Sequence, residues 1–314
     1  MSSKPCAVCG STEPPRVLRD VRDYVTGDAF ALVQCARCGF AMTDPIPASL
    51  DRYYPQRYRR FNPAAAALLH RLYLRRVDGW LARLPAKGTA LEVGAGTGWM
   101  LRALRERGWT AIGSERSHDA AQVAQTAAGA PMFVGDLGAV RDAPVLDLVI
   151  MFHVLEHLAD PLAELRAAAA RLRPGATLVL GLPNLASWQA RFAGRDWMHL
   201  DVPRHLCHFT PDAIERALRA TGFGLDHIDF RSAEHDPFGW VQSTLDRVGF
   251  EKGLLIKRLT GMRDGHSSAG ATALAGLLAL PLGVVGVGAA LASWQARAGA
   301  VMEVWAVRDG MPAA

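Results

Sequence analysis

The segment Leu91-Glu92-Val93-Gly94-Ala95-Gly96-Thr97-Gly98-Trp99 constrains the fold of this chain more than any other. A short apolar run enters a turn with three glycines. Apolar residues at helical spacing follow, namely Met100, Leu101 and Leu104. Glu115 lies 21 residues after Gly94 and closes a second apolar stretch, Thr110 to Gly113. This is the layout of a nucleotide-binding βαβ unit. Glycine lets backbone approach a ligand where a Cβ would clash. The acidic residue is placed to accept hydrogen bonds from a ribose. A dinucleotide fingerprint carries a further glycine at the position that Trp99 occupies here, so NAD is disfavoured.

The rest of the chain extends this unit. Met132-Phe133-Val134-Gly135-Asp136 reads as a third strand ending in an acidic residue. Leu146 to Phe152 is a buried strand by its nearly continuous apolar run. Leu172-Arg173-Pro174-Gly175 follows a helix pattern and leads into Ala176 to Leu182, a fifth strand. Strands alternating with helices over short links predict a doubly wound parallel α/β sheet. The pattern Glu92-x-Gly94-x-Gly96-x-Gly98, the string His153-Val154-Leu155-Glu156-His157-Leu158 and Leu172 to Gly175 occur in order. Together they resemble the class I S-adenosylmethionine (SAM)-dependent methyltransferases from about Thr89 to Phe230. The resemblance implies a seven-stranded Rossmann-like sheet. It also implies SAM held by Glu92, Gly94, Gly96, Gly98, Glu115, Asp136 and Phe152. Glu92 would hold the loop or the methionine amine, and Asp136 would face the adenine.

Four of the five cysteines fall into two C-x-x-C-G knuckles, Cys6 with Cys9 and Cys35 with Cys38. Two knuckles can complete a closed tetrahedral four-cysteine zinc site. A redox dithiol normally opens a helix in a thioredoxin-like βαβ pattern, which is absent here. A segment this short cannot fold on apolar burial alone, so the metal would supply its stability. Cys207 stands apart and reads as a buried small hydrophobe. The knuckles, Pro45-Ile46-Pro47 and the pair Tyr53-Tyr54 resemble a bacterial subgroup of methyltransferases. Zinc ribbons precede the fold in some deoxysugar C-methyltransferases and some ribosomal RNA guanine methyltransferases, so the ribbon does not choose the substrate.

Residues 1–44 are read as the zinc ribbon, and 45–85 as a linker with Tyr53, Tyr54 and Tyr58 and a covering helix. That helix starts at Asn62-Pro63 and carries Leu69, Tyr73, Val77, Trp80 and Leu84 on one apolar face. Residues 86–233 with 300–309 are read as the methyltransferase domain, and 234–299 as an apolar helical insertion. The chain has 314 residues, half of them hydrophobic, enough for a large core in about two domains. The net charge of +5 comes from scattered arginines and hardly argues for nucleic acid. The first residues lead directly to cysteines without an apolar signal stretch, so the expected setting is a reducing cytoplasm.

Chemistry is expected at the carboxyl ends of the strands. His153, Glu156 and His157 follow the fourth strand. They spell H-x-x-E-H, the inverted zinc-peptidase motif. A peptidase needs that motif inside a long helix and a distant third ligand, whereas here it caps a Rossmann-type strand. A second cluster follows the fifth strand, with Trp188, Arg191, Phe192, Trp197 and the run His199 to Thr210. Methyl transfer to a hydroxyl or amine needs proximity and a base, and histidine suits the latter. His205 or His208, oriented by Asp201, is the candidate base, with His153 as the alternative.

Leu225 to Ser232 and Val301 to Val307 read as the last two strands, with about 65 residues between them, far beyond ordinary loops. Within that insertion Ala269 to Ala292 carries no charge and is long enough to span a bilayer. Both strands belong to one sheet, so the run cannot cross once. The expectation is a re-entrant pair of short halves kinked at Pro281, with a buried hairpin or dimer interface as the alternative. Lys252, Lys257, Arg258, Arg263 and Arg297 flank it and could meet anionic head groups. The reading as a whole is a cytosolic-face methyltransferase acting on a small or lipid-linked acceptor. An RNA base methyltransferase is the alternative, although no basic, aromatic single-strand groove is visible.

Overall fold

The computed structural model describes residues 5–54, 63–84, 87–138, 145–262 and 268–310. Tyr58, Asn62 and Arg263 lie outside them, as does the side chain of Leu69. The chain opens with an antiparallel meander of β1 (Arg16–Arg22), β2 (Ala29–Gln34) and β3 (Ala41–Asp44). Helix α1 (Pro63–Leu81) follows, then β4 (Thr89–Val93), α2 (Trp99–Glu106), β5 (Thr110–Glu115), α3 (His118–Ala128) and β6 (Met132–Val134). Next come β7 (Leu146–Phe152), α4 (Pro161–Arg171), β8 (Leu172–Pro183), α5 (Trp188–Ala193), β9 (Cys207–His208) and α6 (Pro211–Arg219). The chain then runs through β10 (Phe223–Asp229), α7 (Asp236–Arg247), α8 (Leu254–Leu259), α9 (Ala269–Gln295) and β11 (Val301–Arg308).

Helix starts are set by local chemistry. The Ser117, Asp160, Ser187 and Thr210 side chains each accept a backbone N–H at the start of α3, α4, α5 and α6. Pro161 and Pro211 occupy the first helical turn, where no N–H is needed. The strands of the large sheet are apolar on both faces because helices cover both. Its order is β10-β11-β8-β7-β4-β5-β6. β4 to β8 are parallel, and β11 is inserted antiparallel between β8 and β10. The sheet is therefore mixed at one edge. On one face Leu101, Leu104 and Ala124 pack with Val77 and Trp80 of α1. On the other, Leu165 and Ala168 of α4 and Ile214 and Leu218 of α6 form the second core layer.

The apolar run differs from the re-entrant expectation. α9 is one helix of 27 residues that continues through Pro281. It packs along α7, burying Ala275, Gly286, Ala290 and Ser293. A Cβ at Gly286 would lie 3.0 Å from the Pro237 carbonyl oxygen. Contact with α7 along a small-residue stripe holds the helix to the body, so Pro281 does not split it.

Candidate functional site

The glycine turn lies at the carboxyl end of β4. Gly94, Gly96 and Gly98 all adopt positive φ, +65°, +55° and +72°. L side chains rarely adopt that conformation. A Cβ on Gly98 would meet the Ala124 carbonyl oxygen at 2.7 Å, and one on Gly94 would meet Val154 Cγ2 at 2.6 Å. The second contact matters for chemistry, because Val154 follows His153. The glycine loop and the turn after β7 therefore touch.

Glu115 ends β5, and its Oε1 accepts the Gly96 N–H at 2.6 Å. The carboxylate thus stands over the glycine turn. Asp136, exposed, follows β6 at the next strand end. Glu92 sits inside β4 and is 2% exposed. Burial pushes its carboxyl well above the usual carboxylate range, with the Leu101 backbone N–H acting the other way. Phe152 ends β7 with its ring against Tyr73 and Trp80 of α1, under the Arg76 guanidinium. Gly181 leaves room for that ring, since a Cβ there would lie 2.4 Å from it.

His153 follows Phe152 with φ +58°, a left-handed conformation unusual for a residue with a Cβ. Its Nδ1 lies 3.1 Å from Glu156 Oε1. The carboxylate is buried, so it fixes the imidazole as the tautomer whose acceptor lone pair is on Nε2. The H-x-x-E-H string spans a left-handed residue and a single 3-10 turn, Leu155–His157. The zinc-peptidase reading fails here because no helix places His153 and His157 one turn apart on a common face.

The second cluster wraps around the same carboxylate. His205 donates from Nδ1–H to the His199 carbonyl oxygen, 2.9 Å away, so Nδ1 carries a proton. Its Nε2 is 3.8 Å from Asp201 Oδ2 and 4.0 Å from Glu156 Oε1. The His157 ring packs edge-on against His205 at 4.7 Å. One donor atom each from Glu156, His157 and His205 lies within 4.8 Å of the others, a spacing that could hold a cation. Asp201 also takes the Arg204 guanidinium at 2.8 Å, and Arg204, fully buried, reaches Asp23 at 2.6 Å and the Tyr53 carbonyl at 2.7 Å.

His208 is placed differently. It is 3% exposed, and its Nε2 lies 3.3 Å from Thr43 Oγ1 in the N-terminal sheet. Burial lowers its pKa to about 3. Two histidines outside the candidate set, His199 and His235, lie in the same group of rings as His153. The His235 ring is 4.7 Å from His153 and 6.2 Å from His199. Burial holds His235 well below the ordinary imidazole range. Sequence reasoning passed over His235 because it lies in the insertion. The local signal was Glu234-His235-Asp236, three ionisable residues ahead of a helix-starting proline.

The four knuckle cysteines converge. Cys6 Sγ is 3.7 Å from Cys38 Sγ, and Cys9 Sγ is 3.6 Å from Cys35 Sγ. A tetrahedral zinc with bonds of about 2.3 Å separates its sulfurs by about 3.8 Å, so the donor set fits such an ion. Each knuckle is closed by a backbone bond, Gly10 N–H to Cys6 and Gly39 N–H to Cys35. The meander does not stand alone. β9 pairs with β3, and the Thr43 hydroxyl donates to the His205 carbonyl at 2.7 Å.

A seven-stranded sheet of this order, with a glycine turn and acidic strand ends, has the architecture of the SAM-dependent transferases. The family model described as a methyltransferase domain matches residues 57–228, more than half of the chain. The chain belongs to that family, the class I SAM-dependent methyltransferases. It is 28% identical over 181 residues to a ubiquinone biosynthesis O-methyltransferase of Cereibacter sphaeroides (strain ATCC 17025 / ATH 2.4.3), covering 53% of this chain and 72% of the relative. The enzyme of the same description from Cupriavidus pinatubonensis is 25% identical over 188 residues, 56% of this chain and 74% of that one. In fold, the chain resembles the methyltransferase solved in complex with the Haloferax volcanii Trm112 activator. The TM-score is 0.50 at 17% identity, over 79% of this chain and 95% of the other.

Proposed function

We propose that the protein transfers a methyl group from SAM to a hydroxyl of a small, lipid-linked acceptor of the ubiquinone-precursor type. His153 acts as the general base. The observation that carries this is the contact of the two turns. Gly94 of the glycine loop touches Val154, and His153 beside it is paired with the buried Glu156 carboxylate. Methyl donor and base would thus share one strand-end cleft. The relatives named for O-methylation supply the acceptor class.

SAM, when bound, supplies an electrophilic methyl on a sulfonium. The glycine turn would cradle it, with Glu115 on the ribose, Asp136 on the adenine side and Glu92 beneath the loop. Phe152 packs against Tyr73 and Trp80 and so holds α1 beside the end of β7. His153 takes the acceptor proton at Nε2, and Glu156 holds the ring and stabilises the imidazolium. His205, with Asp201, faces the same carboxylate and would orient the acceptor. His208, held neutral far below its ordinary range and tied to Thr43, anchors the loop instead. Cys6, Cys9, Cys35 and Cys38 are assigned to a structural zinc. The proposed setting is the cytosolic face of the membrane, where a lipid-linked acceptor resides.

Incubation with methyl-tritiated SAM tests this, using a polyprenylated dihydroxybenzene, a tail-less dihydroxybenzene and total RNA in parallel. Label in the lipid extract, as an aryl methyl ether, is expected. Label confined to RNA, or to carbon or nitrogen of any acceptor, would overturn the reading.

A further inference from the structure

We infer that α9, with the aromatic edge beside it, is an in-plane seat for an anionic lipid surface. The inference does not depend on the acceptor proposed above. From Ala273 to Ala292 the helix has no polar side chain. Its outward residues recur at three and four residues: Leu277 is 67% exposed, Leu280 75% and Val284 77%. Leaving such side chains in water costs roughly 1.5–3 kcal/mol each. Monomeric soluble proteins rarely expose a continuous apolar face of this length.

The fold decides how a membrane could meet this face. A helix of 27 residues is long enough to cross a bilayer. Yet α9 is packed on α7, and the chain returns directly to β11 between β8 and β10. Both ends are therefore held on the protein side. Only the outward face can enter lipid, in the manner of an interfacial helix buried to the depth of its own side chains.

Aromatic and charged residues beside α9 point to the same occupant. Trp188 and Phe192 on α5 are 41% and 40% exposed. The Phe192 ring packs at a tilt against Trp240 of α7, centroids 5.5 Å apart, and the Trp240 Cβ lies against Gly286 of α9. The Trp188 backbone N–H donates to the Ala298 carbonyl just past the end of α9. Aromatic rings at the border of an apolar band are typical of the lipid–water interface. The charges on these helices are asymmetric. Arg191 on α5, Arg247 on α7, Arg258 on α8 and Arg297 after α9 are exposed, whereas Asp236 and Asp246 of α7 are buried. Among the described residues the exposed charges on α5, α7, α8 and just past α9 are arginines, which complements an anionic bilayer. The apolar strip suits a non-obligate protein partner less, because such an interface averages about one hydrogen bond per 100–200 Å², and Ala273 to Ala292 offers no side chain to make one. α7 also begins beside His235, whose ring is 4.7 Å from that of His153, so the lipid seat lies one helix from the candidate base.

Flotation of the full chain with vesicles tests the assignment, using phosphatidylcholine alone or mixed with phosphatidylglycerol. Wild type is expected to float, and more with the anionic vesicles. The double variant Leu277→Glu/Val284→Glu changes exposed positions only, and circular dichroism and SAM binding should stay as in wild type. It should lose partitioning by about tenfold or more. Arg247→Gln and Arg258→Gln should each lower binding to the anionic vesicles about fivefold while sparing the neutral ones. Wild type that stays with neither vesicle overturns the inference. So does a dimer that the double glutamate variant converts to monomer, which would make a second copy the occupant.

Discussion

His153 and Glu156 lie 3.1 Å apart, and the pairing fixes what each substitution should do. His153→Ala removes the proposed base, so kcat should fall on the order of 10²-fold or more while the SAM Kd holds. Glu156→Gln keeps the volume and loses the charge that stabilises the imidazolium. The acid limb of the kcat/KM profile should then move to lower pH, a readout that loosened packing alone would not give. Glu115→Ala removes both the proposed ribose acceptor and the bond to the Gly96 N–H. SAM affinity should drop about tenfold by calorimetry, and an unchanged Kd would refute the role. His208 makes a prediction about stability. In the unfolded chain it protonates near pH 6.5, but in the fold burial lowers its pKa to about 3. The unfolded state therefore binds the extra proton in that window, and this contribution to stability is lost as pH falls from about 6.5 to about 3. Urea midpoints at about pH 7 and about pH 5 should differ less in His208→Gln than in wild type.

At the level of elements, the ribbon is part of the candidate site's scaffold. β3 pairs with β9, which belongs to the loop carrying Asp201, Arg204 and His205. Arg204 ties that loop to Asp23 and Tyr53, and the Thr210 hydroxyl donates to the Cys38 carbonyl. Cys35→Ser should lose zinc, measured by metal analysis, and full retention would defeat the four-cysteine assignment. Amide exchange should then speed up first in residues 201–210 as well as in the meander. SAM binding should persist, because β4 to β6 and the glycine turn carry none of these links. Activity should fall with the loop. Sequence alone treats the ribbon as a separable N-terminal unit, since a two-residue strand such as β9 has no readable periodicity.

At the scale of the molecule, one buried ionic group joins three distant stretches of chain. Arg76 of α1 pairs with Glu234 ahead of α7 and Glu303 of β11, and the Trp80 and Trp305 indoles donate to Glu303. These links lock α1 over the edge of the sheet where the insertion leaves and returns. Arg76→Met would strand two buried carboxylates at neutral pH, costing about 3–5 kcal/mol. Thermal melts should show the loss, and Glu234→Gln in the same background should recover part of it, because one stranded charge is then removed.

The parallel core of the sheet, the glycine turn, its acidic partners and the two cysteine knuckles are legible in the residues alone. Each is written in short-range spacing, and spacing of 2 or 3.6 residues maps directly onto strand or helix. The antiparallel insertion of β11, the unbroken course of α9 through Pro281, and the gathering of His153, His157 and His205 about Glu156 come from tertiary structure. His153 and His157 follow β7 whereas His205 precedes β9, and nothing local states that they meet. Likewise, whether a proline splits an apolar run depends on what packs against it. Here a stripe of small residues on α9 seats the helix against α7 and holds both halves in one line.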